Sequence, residues 1–387
     1  MIDMNLDALP LMRPGVVDVL ARSLENPVLA TARHRNGLQA AERLEASRAM
    51  VGGFLGAEPS EIVFVSSASE ANTWALSGAR FAGGRPPDHL LVSPLEHVSI
   101  LKAAVNLQEQ RKVSLTLLRL SSDGSVDIDW LRKHWPSGRV LVSVQGANPE
   151  TGTLQPINEI GALVRERGGM FHSDFVAVEG WEALELDERP VDLATISSAV
   201  IGGPSGIASL WIRRGVRMIP LIHGGAQEEG RRGGTQPVFL SEGFGAAAQH
   251  AGIHGAVERQ RLFDLDSLLQ KKIMEEFPEV TLVGGASPRR QGILNLLVPG
   301  IDGQALLSLM DSEGVLVGTG SSCSSQSLKV SHVLTALGYS ARAAQGSSVL
   351  SLGWWNQPSD ISPWANAFRK GIQTLSKLKS TGTDSRP

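Results

Sequence analysis

The chain has 387 residues, of which 42% are apolar and 19% are charged, and its formal net charge is −3. That length is enough for one large and one small domain, each with its own core. The small net charge gives no reason to expect a nucleic acid or a membrane surface as a partner. No apolar run reaches the ~18 residues of a membrane span, and the first residues do not resemble a signal peptide. We therefore expect a cytoplasmic protein.

The first part of the chain predicts two helices, a buried strand and a third helix with a hydroxyl-rich start. Residues 14–24 and 38–55 carry apolar side chains at helical spacing. Residues 61–65 predict a buried strand, because the run that follows Glu61 is continuously apolar, as buried parallel strands tend to be. The run Ser-Ser-Ala-Ser-Glu-Ala-Asn at 66–72 then opens a helix, whose free N–H groups suit a phosphate. The plainer alternative is that its serines, Ser69 among them, only cap the helix.

The middle of the chain alternates strands with helices. Strands are predicted at residues 90–93, 113–120 and 140–144, with helical stretches between them. Such alternation is typical of βαβ units and of a mostly parallel sheet. The first of these strands is followed by Glu96 and His97. A lone histidine at this place is either structural or catalytic, and the residues alone leave both alternatives open.

Two further polar residues follow predicted strands. Asn148 lies in an Ala-Asn-Pro-Glu-Thr-Gly loop, where it is either a ligand-binding amide or a simple turn residue before proline. Asp174 ends an apolar segment, and a carboxylate at the end of a buried strand costs several kcal/mol unless it is paired. Its partner is either the protonated nitrogen of a pyridine ring, which would become an electron sink, or an arginine in a structural salt bridge.

Residues 192–206 are the stretch around which the chain is organised. They begin as a buried strand, reach Ser197, and close on Gly-Gly-Pro-Ser-Gly, a tight turn that lets a ligand approach the backbone. The ends of neighbouring parallel strands, here this one and the one that ends at Asp174, are where α/β proteins place their chemistry.

The last part of the chain predicts a mobile loop that contains the only cysteine. A long helix from residue 239 to about 277 joins the large domain to the small one. Residues 318–327 are rich in glycine and serine without periodicity, which predicts an exposed loop. This loop carries Cys323, and a single cysteine excludes an internal disulfide and a cysteine-cluster metal site. Residues 380–387 are polar and predict a disordered tail.

Taken in order, these motifs resemble those of the cysteine desulfurases, class V aminotransferase-like proteins of the pyridoxal-phosphate fold. The resemblance extends from residue 26 to residue 353. It implies an α/β fold of the fold-type I pyridoxal-phosphate transferases: a large domain with a mostly parallel seven-stranded sheet flanked by helices, and a small α+β C-terminal domain. We expect the large domain at 15–255 and the small domain at 1–14 and 256–379.

The resemblance also implies roles for single residues. His97 matches the family's histidine that stacks on the cofactor ring and moves protons. Cys323 matches the cysteine that attacks the substrate sulfur and carries a persulfide. Thr235, in an R-x-G-T-x-P motif, would reach the phosphate of a neighbouring subunit, which implies a homodimer. The cofactor-binding residues implied in this way are Ser69, His97, Asn148, Asp174, Ser197 and Thr235.

Four positions depart from the family pattern. The family has a covalently binding lysine, a histidine before it, an arginine that grips the substrate carboxylate and a glutamine on the ring oxygen; this chain has Val200, Ala199, Val349 and Ala177. A valine neither anchors a cofactor nor acts as a base, and no aliphatic side chain imitates the arginine fork. No lysine occurs between Lys133 and Lys271 that could serve instead.

Two classes of function remain open at this point. In the first, the protein is a pseudoenzyme: a sulfur relay that uses Cys323 with a sulfur-donor or sulfur-acceptor partner protein, or a scaffold, impaired in ordinary desulfurase activity. In the second, it is an enzyme that binds pyridoxal phosphate or pyridoxamine phosphate non-covalently and acts on an amino-acid-derived substrate. The losses around Val200 favour the first class. The retained Asp174 and His97 favour cofactor binding.

Overall fold

The computed structural model describes residues 1–6, 10–25, 28–178, 180, 183–285, 287–320 and 330–382. Within these residues the α-helices are α1 (Pro14–Leu24), α2 (Arg35–Leu55), α3 (Ala68–Gly78), α4 (Val98–Arg111), α5 (Ile128–Lys133), α6 (Ile157–Glu166), α7 (Val238–Glu276), α8 (Gly303–Ser312), α9 (His332–Ala336), α10 (Ala341–Ala344) and α11 (Ile361–Gly382). The strands are β1 (Ile2–Asp3), β2 (Ile62–Val65), β3 (Ala79–Arg80), β4 (His89–Val92), β5 (Ser114–Leu117), β6 (Val140–Ser143), β7 (Met170–Asp174), β8 (Leu193–Ser197), β9 (Ala208–Ile212), β10 (Arg217–Met218), β11 (Thr281–Leu282), β12 (Ile293–Leu297), β13 (Val315–Leu316) and β14 (Ser347–Ser351).

The main sheet has seven strands in the order β2-β9-β8-β7-β6-β4-β5. Neighbours from β8 to β5 are parallel, whereas β9 runs antiparallel to both β8 and β2. The predicted mostly parallel seven-stranded sheet is therefore confirmed. Because β9 alone is reversed, the carboxyl ends of β2, β4, β6, β7 and β8 all lie at one edge of the sheet.

Helices cover both faces of this sheet, which explains why central strands such as β2 and β9 are buried along their whole length rather than alternating. On β2, Ile62 and Phe64 face a core shared with α1, α2 and α7, while Val63 and Val65 face a second core shared with α3 and α4. Every residue of β2 is consequently buried. The sheet edge that carries the strand ends is thus held on a rigid support.

A smaller unit is built around the three-stranded antiparallel sheet β11-β12-β14, with α8 and α11 against it. The N-terminal strand β1 pairs with β13, so the first residues join this unit. Helix α7 enters both cores, since Phe244 belongs to that of the large unit and Leu265 to that of the small one. The domain boundary expected at residue 255 falls inside this single helix and stays a prediction.

Two predicted boundaries differ from the structure. The strand expected at 113–120 spans only Ser114–Leu117, and Leu120 instead forms an isolated antiparallel bridge with Val126. Helix α11 continues to Gly382, so residues 380–382 are helical rather than disordered, and 383–387 lie outside the described residues. No helix in the described part of the chain is both long and apolar enough to span a membrane.

A buried ion pair fixes the loop after β10 to the sheet. Arg48 of α2 donates to both carboxylate oxygens of Glu228, over 2.7 and 3.0 Å, and Glu228 also accepts the N–H of Phe64 in β2. Burial alone would raise the pKa of Glu228, but the hydrogen bonds and charge of Arg48 hold it below its ordinary value. The same loop leads to Arg232 and Thr235, so this pair positions one wall of the candidate site.

Replacing the buried carboxylate, in Glu228→Gln, should lower the free energy of unfolding by about 3–5 kcal/mol, because the Arg48 charge stays buried without its partner. The contribution is present above the ordinary pKa of 4.5 and is lost as the pH falls through the lower folded-state pKa, so the variant should show a weaker loss of stability on acidification. Urea unfolding at neutral and acid pH measures both effects.

Glu45→Gln is the matched control: Glu45 also pairs with Arg48 but is exposed, and its removal should cost at most about 1 kcal/mol. Equal losses for the two variants would contradict the argument.

Candidate functional site

The structure brings five of the predicted site residues to the same edge of the main sheet. Asp174 and Ser197 are the last residues of β7 and β8, which lie side by side. The other three follow the ends of β2, β4 and β6: they are Ser69, His97 and Asn148. Parallel strands deliver their carboxyl ends to one crevice, and this explains why residues distant in sequence meet here.

Asp174 is a buried carboxyl group, 7% exposed. Its Oδ2 accepts a hydrogen bond from Asn72 over 2.7 Å and its Oδ1 accepts the N–H of Val176 over 3.0 Å. None of the ion pairs among the described residues involves Asp174, so the alternative of a structural arginine bridge is not observed there. Burial raises the pKa of Asp174 above its ordinary value. A buried acid without a cation fits the protonated ring nitrogen of pyridoxal phosphate.

His97 is held at the start of α4. It is the N-cap of that helix, and its Nδ1 accepts the N–H of Ser99 over 3.2 Å. Burial lowers the pKa of His97, the neighbouring His332 lowers it further, and the charge of Asp174 opposes both effects. The side chain is therefore neutral at neutral pH. It is half-buried, so it is not part of the hydrophobic core.

Several polar residues of the site were not predicted from the sequence. Asn72 contacts Asp174, Glu96 lies fully buried beside it, and His332 of α9 donates its Nε2 hydrogen to the carbonyl oxygen of Glu96 over 2.9 Å. Burial raises the pKa of Glu96 well above its ordinary value, and its Oε1 accepts the N–H of Gln145 over 2.8 Å. One signal was available, since Asn72 is a polar residue on the buried face of α3.

Asn148 has the turn role, and its role as a ligand-binding amide stays a prediction. Its Oδ1 accepts the N–H groups of Glu150 and Thr151, each over 2.9 Å, which is the turn role. Its Nδ2 donates to the carbonyl oxygen of Leu95 over 3.1 Å and so ties the loop after β6 to the segment that carries His97. An amide nitrogen has two hydrogens, so a contact with a ligand is compatible with this bond.

The start of α3 lies at the place where the phosphate end of the site is predicted. Ser67 is the N-cap and accepts the N–H of Glu70 over 3.2 Å, while Ser69 lies exposed in the first turn. Arg232 binds both carboxylate oxygens of Glu70, over 2.9 and 3.2 Å, and stands beside the helix start. Thr235 is exposed, and no hydrogen bond within the described ranges joins it to the other five residues.

The turn after β8 is lined by aliphatic side chains and held in place by a clamp that Arg13 forms. Val200 is half-buried and packs against the core of the large unit. The N–H of Arg13 donates to the carbonyl oxygen of Gly202 over 2.9 Å, and its Nε donates to that of Ile201 over 3.2 Å. Both ends of the Arg13 guanidinium bind Glu258 of α7. Gly202 has φ +84° and a Cβ there would lie 2.7 Å from Arg13, so only glycine fits.

The other replaced positions are also apolar and enclosed. Ala177 packs against the same core as Val200, and Val349 is buried in the middle of β14. Val349 exchanges two backbone hydrogen bonds with Gly318, at the start of the loop that leads to the cysteine. Cys323 itself, and with it most of the predicted loop, lies outside the described residues.

No described lysine takes the place of the missing one. Lys102, the nearest to a site residue in sequence, is exposed on α4, and Lys329 lies outside the described residues. Among the side chains that are described, no group of three or more His, Cys, Asp or Glu residues could hold a metal ion.

Comparison with known proteins agrees with this geometry. The family profile described as Aminotransferase class-V matches residues 14–362. The mitosomal cysteine desulfurase of Encephalitozoon cuniculi is 36% identical over 353 residues, covering 89% of this chain and 80% of that protein. The cysteine desulfurase IscS of Dictyoglomus turgidum is 33% identical over 342 residues, covering 88% and 86%.

Solved structures give the same result for the fold. A NifS-like protein superposes with a TM-score of 0.88 at 26% identity, covering 97% of this chain and all of that one. The NifS-like protein of Rickettsia africae superposes with a TM-score of 0.85 at 28% identity, covering 96% and 99%. Proteins of this family use pyridoxal phosphate. The chain belongs to the class-V aminotransferase family and, within it, to the cysteine desulfurases.

Proposed function

We propose that this protein is a degenerate cysteine desulfurase, a pseudoenzyme that relays sulfur through Cys323 and lacks ordinary desulfurase turnover. The observation that carries the proposal is Val200, which stands in the turn after β8 where the family has its lysine and which packs against the core. Neither a covalent anchor for a cofactor nor an amine base is available at that position. The sequence of the cysteine loop, in contrast, keeps its thiol.

The site still offers groups that suit a non-covalently bound pyridoxal phosphate. When bound, this cofactor supplies an electron sink. Asp174 would hold its protonated nitrogen, because it is a buried acid without a cation among the described residues. The other residues assigned to it are His97 and Asn148 for the ring, and Ser69, Ser197 and Thr235 for the phosphate end.

The neutral His97 beside the buried Asp174 supports a second candidate function. In that case the protein is an enzyme that binds pyridoxal phosphate or pyridoxamine phosphate without a covalent link and acts on an amino-acid-derived substrate. An absorption band of bound cofactor together with turnover of an amino acid would favour this candidate. A band without turnover would favour the relay.

Three further features complete the proposal. The exposed Thr235 favours a homodimer, in which it would meet the phosphate held by a second copy. A relay also requires a protein that donates sulfur to Cys323 or accepts it from there. We place the protein in the cytoplasm.

The purified protein should not release sulfide from L-cysteine at an ordinary rate. The base is missing at Val200, and the arginine fork is missing at Val349, a loss that by itself costs on the order of 2–5 kcal/mol when the carboxylate stays buried. A sulfide assay with pyridoxal phosphate and a reductant present measures this, with a lysine-containing cysteine desulfurase as the positive control. A turnover of ~1 s⁻¹, ordinary for an enzyme, would refute the loss of activity.

The cofactor should bind reversibly, and Asp174→Asn should weaken it. A hydrogen bond to a charged group contributes about 1.5–3 kcal/mol, so the dissociation constant measured by equilibrium dialysis should rise about tenfold to a hundredfold. Asp129→Asn, at an exposed aspartate of α5, is the control and should leave it unchanged. Borohydride reduction followed by intact mass should find no covalent adduct. A trapped adduct, or equal affinities for the two variants, would rule out the proposed binding.

Cys323 should accept one sulfur atom from a persulfide donor. Its thiolate attacks the outer sulfur of the donor, the S–S bond of the donor breaks, and the donor leaves as a thiol. Intact mass should show one added sulfur in the wild type and none in Cys323→Ala, which removes the only thiol of the chain. If the folded wild type resists alkylation as well, the thiol is inaccessible and the protein is a scaffold or a ligand-binding protein instead.

A further inference from the structure

Asn72 and Ser99 form a hydrogen-bonded chain between Asp174 and His97. The amide nitrogen of Asn72 donates to Asp174 Oδ2 over 2.7 Å and to Ser99 Oγ over 3.1 Å. Ser99 Oγ in turn lies 2.7 Å from His97 Nδ1, and the backbone N–H of Ser99 lies 3.2 Å from the same nitrogen. Two titratable side chains of the site are thereby joined without touching each other.

Donor and acceptor roles along this chain follow from two groups whose role is fixed, a backbone N–H and an ionised carboxylate. A backbone N–H only donates, so His97 Nδ1 accepts. An ionised carboxylate only accepts, so Asn72 turns its NH₂ group to Asp174, and the second hydrogen of that group goes to the Ser99 oxygen. The hydroxyl hydrogen of Ser99 then points to His97 Nδ1. The single proton of the neutral imidazole is left on Nε2.

We propose that Asn72 and Ser99 are positioning residues that strengthen the Nε2–H tautomer of His97 while Asp174 is ionised. The Ser99 hydroxyl then adds to the weaker backbone bond at Nδ1, so the charge of Asp174 sets how strongly this tautomer is preferred. The inference deepens the proposed function. It rests on that function only where His97 acts on the ring of a bound cofactor. The hydrogen-bonded chain itself belongs to the protein without any ligand.

The carbonyl oxygen of the Asn72 side chain lacks a described partner while Asp174 is ionised, and exchanging it with the NH₂ group would move this deficit to the amide hydrogens. This Oδ1 atom is buried and has no hydrogen-bond partner among the described residues, and such buried acceptors are rare because they are costly. Exchanging the amide oxygen and nitrogen would give it two donors, a protonated Asp174 and the Ser99 hydroxyl. Ser99 would then stop donating to His97 Nδ1, which would keep only the longer bond from the backbone.

Two other titratable groups face this chain. Glu96 is fully buried next to Asp174, and burial raises the pKa of its carboxyl group well above the ordinary value. His332 contacts the carbonyl oxygen of Glu96 from the small unit, and a positive charge on it would oppose protonation of His97. Neither side chain hydrogen-bonds to Asn72 or Ser99 in the described structure. The path from Asp174 to His97 is therefore the amide and the hydroxyl.

The test is the nitrogen-15 spectrum of the histidine side chains of the cofactor-free, full-length protein at neutral pH. His97→Gln assigns the His97 signals. The wild type should show a single tautomer with the proton on Nε2. Ser99→Ala and Asp174→Asn should each move both nitrogen signals toward their mean, as a mixture of tautomers forms. In an Asn72→Leu background, Asp174→Asn should cause no further shift of the His97 signals, because the hydrogen-bonded chain between the two residues is already broken.

Controls keep the outcome decisive. His172 is fully buried and bonds to Ser143 and Thr195, so its signals should stay in place in a folded Ser99→Ala variant. A proton on Nδ1 in the wild type would overturn the proposal even if no variant folded. His97 nitrogen signals that do not shift in Asp174→Asn would also overturn the proposal. Since no cofactor is present, the outcome is independent of whether the protein binds pyridoxal phosphate or relays sulfur.

Discussion

The structure of the site depends on one constraint: a carboxyl group, Asp174, is buried at the end of β7 with no cation bound among the described residues. A charge in that place is unfavourable unless it is compensated. The surrounding residues supply part of the compensation as hydrogen bonds from Asn72 and the backbone of Val176. Burial also raises the pKa of Glu96 beside it, which disfavours a second charge there. What is still missing is a positive partner, and a ligand with a protonated nitrogen has that property.

The retained and the lost residues lie mostly in different parts of the site. Polar groups are retained where loops leave the sheet edge, around Asp174, His97 and Asn148. Most of the losses lie elsewhere: Val200 packs against the core in the turn after β8 and Val349 is buried in β14, whereas Ala177 follows closely after Asp174. This partial separation is the pattern that the proposed function predicts, with cofactor binding kept and chemistry on an amino acid lost.

The sequence predicted the sheet and its polar edge well, because both depend on local patterns. Apolar runs mark the strands, and Asp174 ends one of them, so its place at the edge follows from the parallel arrangement. Asn72 and Ser99 were missed because their roles depend on which helix packs beside which strand. His332 was missed for the same reason, since it reaches the site from the small unit. The domain boundary is hidden because α7 belongs to both cores.

The clamp of Arg13 on the turn after β8 has a consequence for the return of a lysine at position 200. Arg13 and Val200 line the same small cavity, together with Glu258 and Trp354. A mutation that restored lysine at position 200 would place an ammonium group close to the guanidinium, in a space sized for a valine. Like charges in a confined, poorly solvated space repel each other strongly. A lysine at position 200 would therefore have to share the carboxylate of Glu258 with Arg13, so its return would disturb the clamp that holds the turn.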